Sequence, residues 1–209
     1  MKIYLTRHSQ TLWNQEKRLQ GHQDSPLTQE GEENALALKK YLHNYHFDAI
    51  YTSPILRALK TAQIICPHQD ITIEPLIMEM NFGEYEGRLI SEISKDSLYD
   101  QLWNDPENFT RIPGGESYKE VITRAQQFIE KIKKHNQNDC IFVITHGMFF
   151  NVLIATLLGD DLKDLKKWHQ RVVKGCSLTC IDYTDGKMHL EYFNQYAYLP
   201  HVPNEEYKK

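Results

Sequence analysis

The chain has little of what would tie it to a membrane, a nucleic acid or an oxidising compartment. None of its apolar runs approaches the roughly 20 residues that a helix needs to cross a bilayer. Its 24 Lys and Arg are outnumbered by 28 Asp and Glu, for a net charge of -4. Proteins that bind nucleic acids or membrane surfaces generally need a basic face to neutralise phosphates in number. No nucleic-acid partner and no membrane are therefore expected, and the basic residues matter locally. Only four cysteines occur, Cys66, Cys140, Cys176 and Cys180. None forms a C-x-x-C pair or neighbours a His at zinc-site spacing, so all four read as buried thiols and no metal site is expected. The start lacks the basic-then-apolar pattern of a signal peptide, which makes a cytoplasmic protein the expectation.

What is present is an alternation of short β-rich apolar runs with amphipathic helical stretches. With 209 residues, 41% of them hydrophobic, the chain can build one well-cored domain. The rhythm predicts an α/β three-layer sandwich, with a mostly parallel central sheet, an antiparallel edge strand and helices on both faces. Strands are expected at Lys2 to Arg7, Asp48 to Thr52, Ile71 to Glu74 and Cys140 to Thr145. A hairpin follows, Cys176 to Tyr183 with Met188 to Phe193, joined through Asp185-Gly186. Helices are expected from Thr28 to near Tyr45, from the Ser53-Pro54 start to about Ile65, from the Ser117/Glu120 capping box to about Lys134, and from His146-Gly147 to about Leu158. Residues 78–115 read as an irregular lid or insertion, and the polar tail from Asn194 as loosely held.

Parallel strands deliver their carboxyl ends to one rim, where open α/β sheets keep their ligands. The first strand ends in Arg7-His8, an anion-binding guanidinium beside a nucleophilic imidazole. Arg57 lies one turn past the Ser53 cap, and His146 with the Gly147 amide opens the helix after Thr145. Helix N-termini add exposed amides and positive potential, so the rim asks for a phosphate.

The chain resembles the histidine phosphatase superfamily, the phosphoglycerate mutase-like family. The segments that carry the resemblance are Leu5-Thr-Arg-His-Ser-Gln-Thr11, Trp13-Asn14, Arg18-Leu-Gln-Gly21, Asp24-Ser-Pro-Leu-Thr28 with Gly31, and Thr52-Ser-Pro-Ile-Leu-Arg-Ala58 with Thr61-Ala62. Glu79, Phe82-Gly83, Glu86-Gly87, Gly114-Gly-Glu-Ser117 and Val143-Ile-Thr-His-Gly147 continue it in family order over nearly the whole chain.

The resemblance implies an enzyme in which His8 attacks phosphorus and becomes a phosphohistidine. It implies that Arg7, Arg57 and His146 hold the phosphoryl oxygens, that Asn14, Gln20, Gly21 and Gly147 add contacts, and that Glu79 is the general acid. It implies no metal and no cofactor, a small phosphorylated substrate, and a monomer or homodimer. Two guanidinium groups beside His8 are expected to lower its pKa and keep it neutral. Ser9 and Gln10 depart from the common pattern, and the Ser9 hydroxyl is placed to reach the pocket, so substrate preference is most exposed there. Leu12, Trp13, His22, Phe82, Tyr85, Met148 and Phe149 are candidates for the pocket mouth or the core.

A phosphatase is the leading expectation, and a phosphoglycerate mutase, which returns the phosphoryl group to its substrate, is the alternative. True mutases of the family carry a longer segment rich in Arg and Pro between the counterparts of Gly87 and Gly114. Here Arg88 to Pro113 is short, acidic to neutral, and carries Tyr99, Trp103 and Phe109.

Overall fold

The computed structural model describes residues 1–202. In chain order the elements are β1 (Lys2–Arg7), α1 (Leu12–Gln15), α2 (Gln29–Tyr41), β2 (Ala49–Thr52), α3 (Leu56–Ile65), β3 (Ile71–Ile73), α4 (Ile90–Ile93), α5 (Ser97–Asn104), α6 (Tyr118–Ile132), β4 (Cys140–Thr145), α7 (Gly147–Leu158), α8 (Leu165–His169), β5 (Leu178–Thr184) and β6 (Lys187–Gln195). The six strands form one sheet in the order β3-β2-β4-β1-β5-β6. β1, β2, β3 and β4 pair in parallel, while β5 runs antiparallel to β1 and β6 antiparallel to β5. The sheet is thus mostly parallel with an antiparallel edge, flanked by helices. No described helix is long and apolar enough to cross a membrane.

Side chains alternate across a strand, so the apolar run of β4 feeds two cores at once. Ile141 and Val143 join the core that holds Val121, Phe128, Phe149 and Phe150 of α6 and α7. Phe142 and Ile144 join the other, with Leu38 of α2 and Ala58 and Ala62 of α3. The same alternation in β1 sends Ile3 and Leu5 one way and Tyr4 the other. β1 and β4 are thereby held rigid from both faces, and they carry the residues of interest at their ends.

Capping follows side-chain chemistry in most places. The Thr28 hydroxyl accepts from Gly31 N at 3.0 Å at the start of α2. Ser117 and Glu120 form the full capping box of α6, with Glu120 Oε2 accepting from Ser117 N at 2.7 Å. α3 departs from its expectation. Ser53 Oγ accepts from Ile55 N at 3.2 Å, so it shapes a turn before the helix, and α3 begins at Leu56 with Ile55 at its cap. α2 ends at Tyr41, short of the expected end near Tyr45.

Three further expectations need correction. Cys140 is half-buried at the open end of β4, whereas Cys66, Cys176 and Cys180 are buried. The tail from Asn194 is tied down as far as it is described: the Tyr198 hydroxyl donates to Cys176 O at 2.7 Å and Asn34 Nδ2 donates to His201 O at 2.7 Å. Residues 203–209 of that tail lie outside the described part. Finally, 78–115 contains α4 and α5, and it sends Met80, Phe82, Tyr85, Ile93, Tyr99, Leu102 and Ile112 into the larger core. Its sequence pattern is irregular because these core side chains come from two short helices and the irregular segments around them, and not from one helical face.

Candidate active site

The register of the two central strands places Arg7 beside Thr145. The next residues of each strand, His8 and His146, leave the sheet together, with ring centroids 5.3 Å apart. His8 N donates to Thr145 O at 2.8 Å, which locks the two strand ends against each other.

His8 is buried, and its ring is oriented from both sides. Nδ1 donates to Ser9 O at 2.7 Å, which leaves Nε2 without a proton, and Arg57 Nε donates to that nitrogen at 3.2 Å. The pKa of His8 is held well below its ordinary value, first by burial and then by Arg57 and Arg7. The sequence expectation named only the guanidinium groups, and burial is the larger cause. His146 is fully buried and likewise driven neutral by burial, then by Arg57. Neither of its ring nitrogens has a hydrogen-bond partner among the described residues. A buried imidazole without partners is costly, and such groups mark positions completed by a ligand.

Arg57 is 1% exposed and most of its fork is committed. Nη1 donates to Gln23 O at 2.9 Å and Asp24 Oδ1 at 3.1 Å, and Nη2 donates to Gly21 O at 2.7 Å. With Nε on His8, one of its five N–H groups, on Nη2, lacks a partner among the described residues. Gly21 therefore serves by holding Arg57. A side chain there would meet Glu86 Oε1 at 2.0 Å and Met80 O at 2.8 Å, so only glycine fits. Arg7 Nη1 donates to Val173 O at 3.0 Å, fixing the second guanidinium beside the pocket.

The Glu79 carboxylate sits at the N-terminus of α7 and is 5% exposed. Its Oε1 accepts from Met80 N at 2.9 Å and Phe149 N at 2.8 Å, and Oε2 accepts from Met148 N at 3.0 Å. This one side chain thus satisfies two of the free amides that begin α7. The strand-ward segment that carries it is clamped by Arg124 of α6, which donates to Leu76 O at 2.9 Å, Met78 O at 2.7 Å and Glu79 O at 3.0 Å. Arg124 is itself paired with Glu116 at 2.9 Å and lies over the Phe149 ring.

These groups surround one pocket. Arg7, His8, Asn14, Gln20, Glu79 and Gly147 line it, with Arg57 and His146 buried behind the wall. Asn14 Oδ1 accepts from Thr11 N at 3.0 Å, and Gln20 Nε2 donates to Thr11 Oγ1 at 2.7 Å, so both are preset by the same threonine. Of the candidate mouth residues, Phe82 and Met148 line the pocket; Tyr85 and Phe149 are core, and Leu12 is exposed. Ser9 and Gln10 do not line it. The Ser9 hydroxyl donates to Gly31 O at 2.6 Å, and Gln10 Oε1 accepts from Thr28 Oγ1 at 2.7 Å, so both pin α2 beneath the site.

Sequence reasoning assigned no role to Asp24, Glu116, Arg124, Asn151 or Arg171. Asp24 and Glu116 lay inside quoted motifs, and a buried Arg with a neutralising partner was a discoverable requirement for Asp24, which pairs with Arg57 at 3.1 Å; Glu86 instead accepts from the backbone N–H groups of His22, Gln23 and Phe82. Arg124 is one of several charges on α6, and nothing local marks it. Among the described residues no group of three His, Cys, Asp or Glu is placed to hold a metal ion.

Known proteins resemble the chain over nearly its whole length. The model of the histidine phosphatase superfamily (branch 1) matches residues 3–196. A Salmonella choleraesuis protein named "Probable phosphoglycerate mutase GpmB" is 32% identical over 193 residues, which is 90% of this chain and 87% of that protein. The structure of Bacillus stearothermophilus YhfR superposes with a TM-score of 0.87 at 32% identity, covering 95% of this chain and 98% of that one. Phosphoserine phosphatase from Entamoeba histolytica, crystallised with phosphoserine, superposes at 0.85 with 27% identity over 95% of this chain and 98% of that one.

Proposed function

The chain belongs to the histidine phosphatase superfamily, branch 1, and we propose that it is a metal-independent cytoplasmic phosphatase that hydrolyses a small phosphomonoester through a phosphohistidine on His8. The observation that carries this reading is the state of the two imidazoles. His8 Nε2 is a deprotonated nitrogen aimed by the Ser9 carbonyl, and His146 lies 5.3 Å away with two unpartnered nitrogens.

In the first step Nε2 of His8 attacks phosphorus, a P–N bond forms and the P–O bond to the alcohol breaks. Arg57 Nε moves its hydrogen bond from Nε2 to a phosphoryl oxygen, joined by Arg7, His146 and the Gly147 amide. Donors fixed in advance are typically worth about 3 kcal/mol each. Glu79 protonates the departing oxygen. Oε1 accepts two N–H groups and Oε2 only one, so Oε2 keeps the lone pair on which a proton can travel. In the second step Glu79 takes a proton from water as the water attacks phosphorus, inorganic phosphate leaves and His8 is regenerated.

The mutase reading is supported by the name of the Salmonella relative. Retention of a charged product calls for a cluster of basic groups beyond the phosphoryl cradle, more than a single guanidinium. In this chain Arg88 to Pro113 contributes none to the pocket: Arg88 pairs with Glu92 and Arg111 with Glu120, both at the surface. That observation favours the phosphatase.

The test is to mix the protein with a 32P-labelled phosphomonoester, quench in alkali and look for label that survives alkali and is lost in acid. Wild type is expected to carry the label and release phosphate, and His8→Ala to do neither. Equal turnover by both, or none by either on a panel of phosphomonoesters, would overturn the reading. Transfer of label to a second substrate oxygen in preference to water would favour the mutase.

A further inference from the structure

One side chain on the inner wall of the pocket is left over from this mechanism. α7 reads Gly147-Met-Phe-Phe-Asn-Val-Leu-Ile-Ala-Thr-Leu-Leu158, an apolar helix buried from Met148 to Ala155. Asn151 interrupts it. It lies one turn from Gly147, so both project from the same face, and both line the pocket together with Met148. Asn151 is 6% exposed and its Oδ1 has no hydrogen-bond partner among the described residues. An amide placed in an apolar helix with no protein partner is destabilising, and the carbonyl oxygen can be satisfied only by a donor that enters the pocket.

A cation faces the same space. Arg171, in the turn after α8, lines the pocket with its guanidinium carbon 5.0 Å from the Trp168 ring centre and 5.7 Å from that of Phe193. The stacking holds the head group in place, and no described Asp or Glu pairs with it. Arg18, the other basic residue at the mouth, is neutralised by Glu16 at 2.6 Å. The pocket's one acid, Glu79, is enclosed by three amides. Positive charge therefore remains at Arg171, apart from Arg7 and Arg57, which the phosphoryl group uses. Trp103 and His169, ring to ring at 5.6 Å, form an aromatic wall of the same cavity, and Trp103 Nε1 has no hydrogen-bond partner among the described residues.

We propose that Asn151 and Arg171 form a second subsite that takes the alcohol part of the substrate and selects a short phosphate ester bearing another anionic group and a neighbouring hydroxyl or amine. Arg171 pairs with the anion, the hydroxyl or amine donates to Asn151 Oδ1, and Trp103 excludes larger alcohols. The assignment rests on the phosphatase reading only in treating the far end of the pocket as the place of the leaving group.

The test separates binding from turnover. In the His8→Ala background, calorimetry compares three probes: 3-phosphoglycerate, glycerol 3-phosphate, which lacks the carboxylate, and the 2-deoxy analogue of 3-phosphoglycerate, which lacks the hydroxyl. 3-Phosphoglycerate is expected to bind at least tenfold more tightly than either. Arg171→Gln is expected to remove its advantage over glycerol 3-phosphate. Asn151→Leu, which keeps the volume and removes the amide, is expected to remove its advantage over the deoxy analogue. Equal binding of the three probes by His8→Ala would overturn the subsite, as would a uniform loss on all three in either variant. In the wild-type background p-nitrophenyl phosphate turnover, and its loss in His8→Ala, give the separate readout of the phosphatase reading. Discrimination in binding without any turnover would sink the phosphatase reading and leave the subsite standing; turnover without discrimination would do the reverse.

Discussion

The two ends of the pocket are assembled by opposite means. The phosphoryl end grows from consecutive residues at strand and helix termini, Arg7-His8 after β1 and His146-Gly147 after β4, and two parallel strands in register bring them together. The far end draws Asn151 from mid-helix, Arg171 from the turn after α8 and Trp103 from α5, with no two adjacent in sequence. One end is a property of the sheet and the other of the packing around it. The sheet end is fixed by the register of two strands packed on both faces, whereas the packed end depends on side chains that separate segments bring together. Chemistry is therefore expected at the first and choice of substrate at the second.

The sharpest way to break this division is at His8. His8→Ala is expected to cut kcat on every phosphomonoester on the order of ten-thousand-fold or more, whatever its alcohol, because the other neutral imidazole, His146, is buried behind the pocket wall and has no carbonyl to fix its tautomer as Ser9 O fixes that of His8. Loss confined to some alcohols, measured by initial rates over a panel, would put the shared chemistry elsewhere.

A smaller effect is expected where the two ends meet, at Glu79 and the Arg124 clamp. Glu79→Gln removes the proton donor, and a loss of about a hundred- to ten-thousand-fold is expected on alkyl phosphates. p-Nitrophenyl phosphate, whose leaving group needs no proton, is expected to lose much less. Arg124→Met frees the carbonyls of Leu76, Met78 and Glu79, so it is expected to show the same dependence on leaving group at about a tenth of the size. A uniform fall on both substrates would mean that Arg124 acts on stability alone, and circular dichroism melts would show it.

The same contrast explains what the sequence could reveal. The order of strands and helices was legible because β4 is apolar on both faces and α6 carries its own capping box. The phosphoryl end was legible because its residues abut those signals. Ser53 misled: its hydroxyl accepts from Ile55 N and shapes a turn two residues before the cap of α3, while Asp24 Oδ2 accepts from Arg57 N in the first turn of the helix. Ser9 and Gln10 misled more. Proximity to His8 suggested contact with substrate, but past the end of β1 the chain turns Ser9 toward α2, and only the structure shows Gly31 O receiving its hydroxyl. Arg124, Asn151 and Arg171 had no local signature, since what singles them out is an uncompensated carbonyl, amide or charge created by distant segments.

Acid pH probes the phosphoryl end alone, with an effect of a few kcal/mol. His8 and His146 both titrate in the native state well below the ordinary value of 6.5, because burial and then Arg57 penalise their charged forms. Unfolding releases that penalty, so the unfolded chain binds more protons below pH 6.5. Stability is then full above about pH 6.5 and declines as the pH falls below it, with a slope approaching about 1.4 kcal/mol per pH unit for each histidine. Urea midpoints between pH 7 and 5.5 are expected to fall accordingly, and His8→Ala is expected to halve the slope. A midpoint that stays level over this range would show that the two imidazoles are not held neutral.

The smallest expected change separates stability from chemistry at the joint between the two ends. Ser117 begins α6 by accepting from Glu120 N, while its own N–H and hydroxyl donate to Glu120 Oε2 at 2.7 Å. Ser117→Ala removes one half of this reciprocal cap and is expected to cost about 1 kcal/mol, read as a lower urea midpoint. Arg124 lies nearly two turns further along α6, where Glu116 and three carbonyls hold it independently of the cap. kcat on alkyl and aryl phosphates is thus expected to stay within twofold of wild type. If kcat on alkyl phosphates falls with the midpoint while aryl turnover does not, the position of Glu79 depends on the whole of α6 and not on the Arg124 clamp, and the boundary between the two ends moves to the helix start.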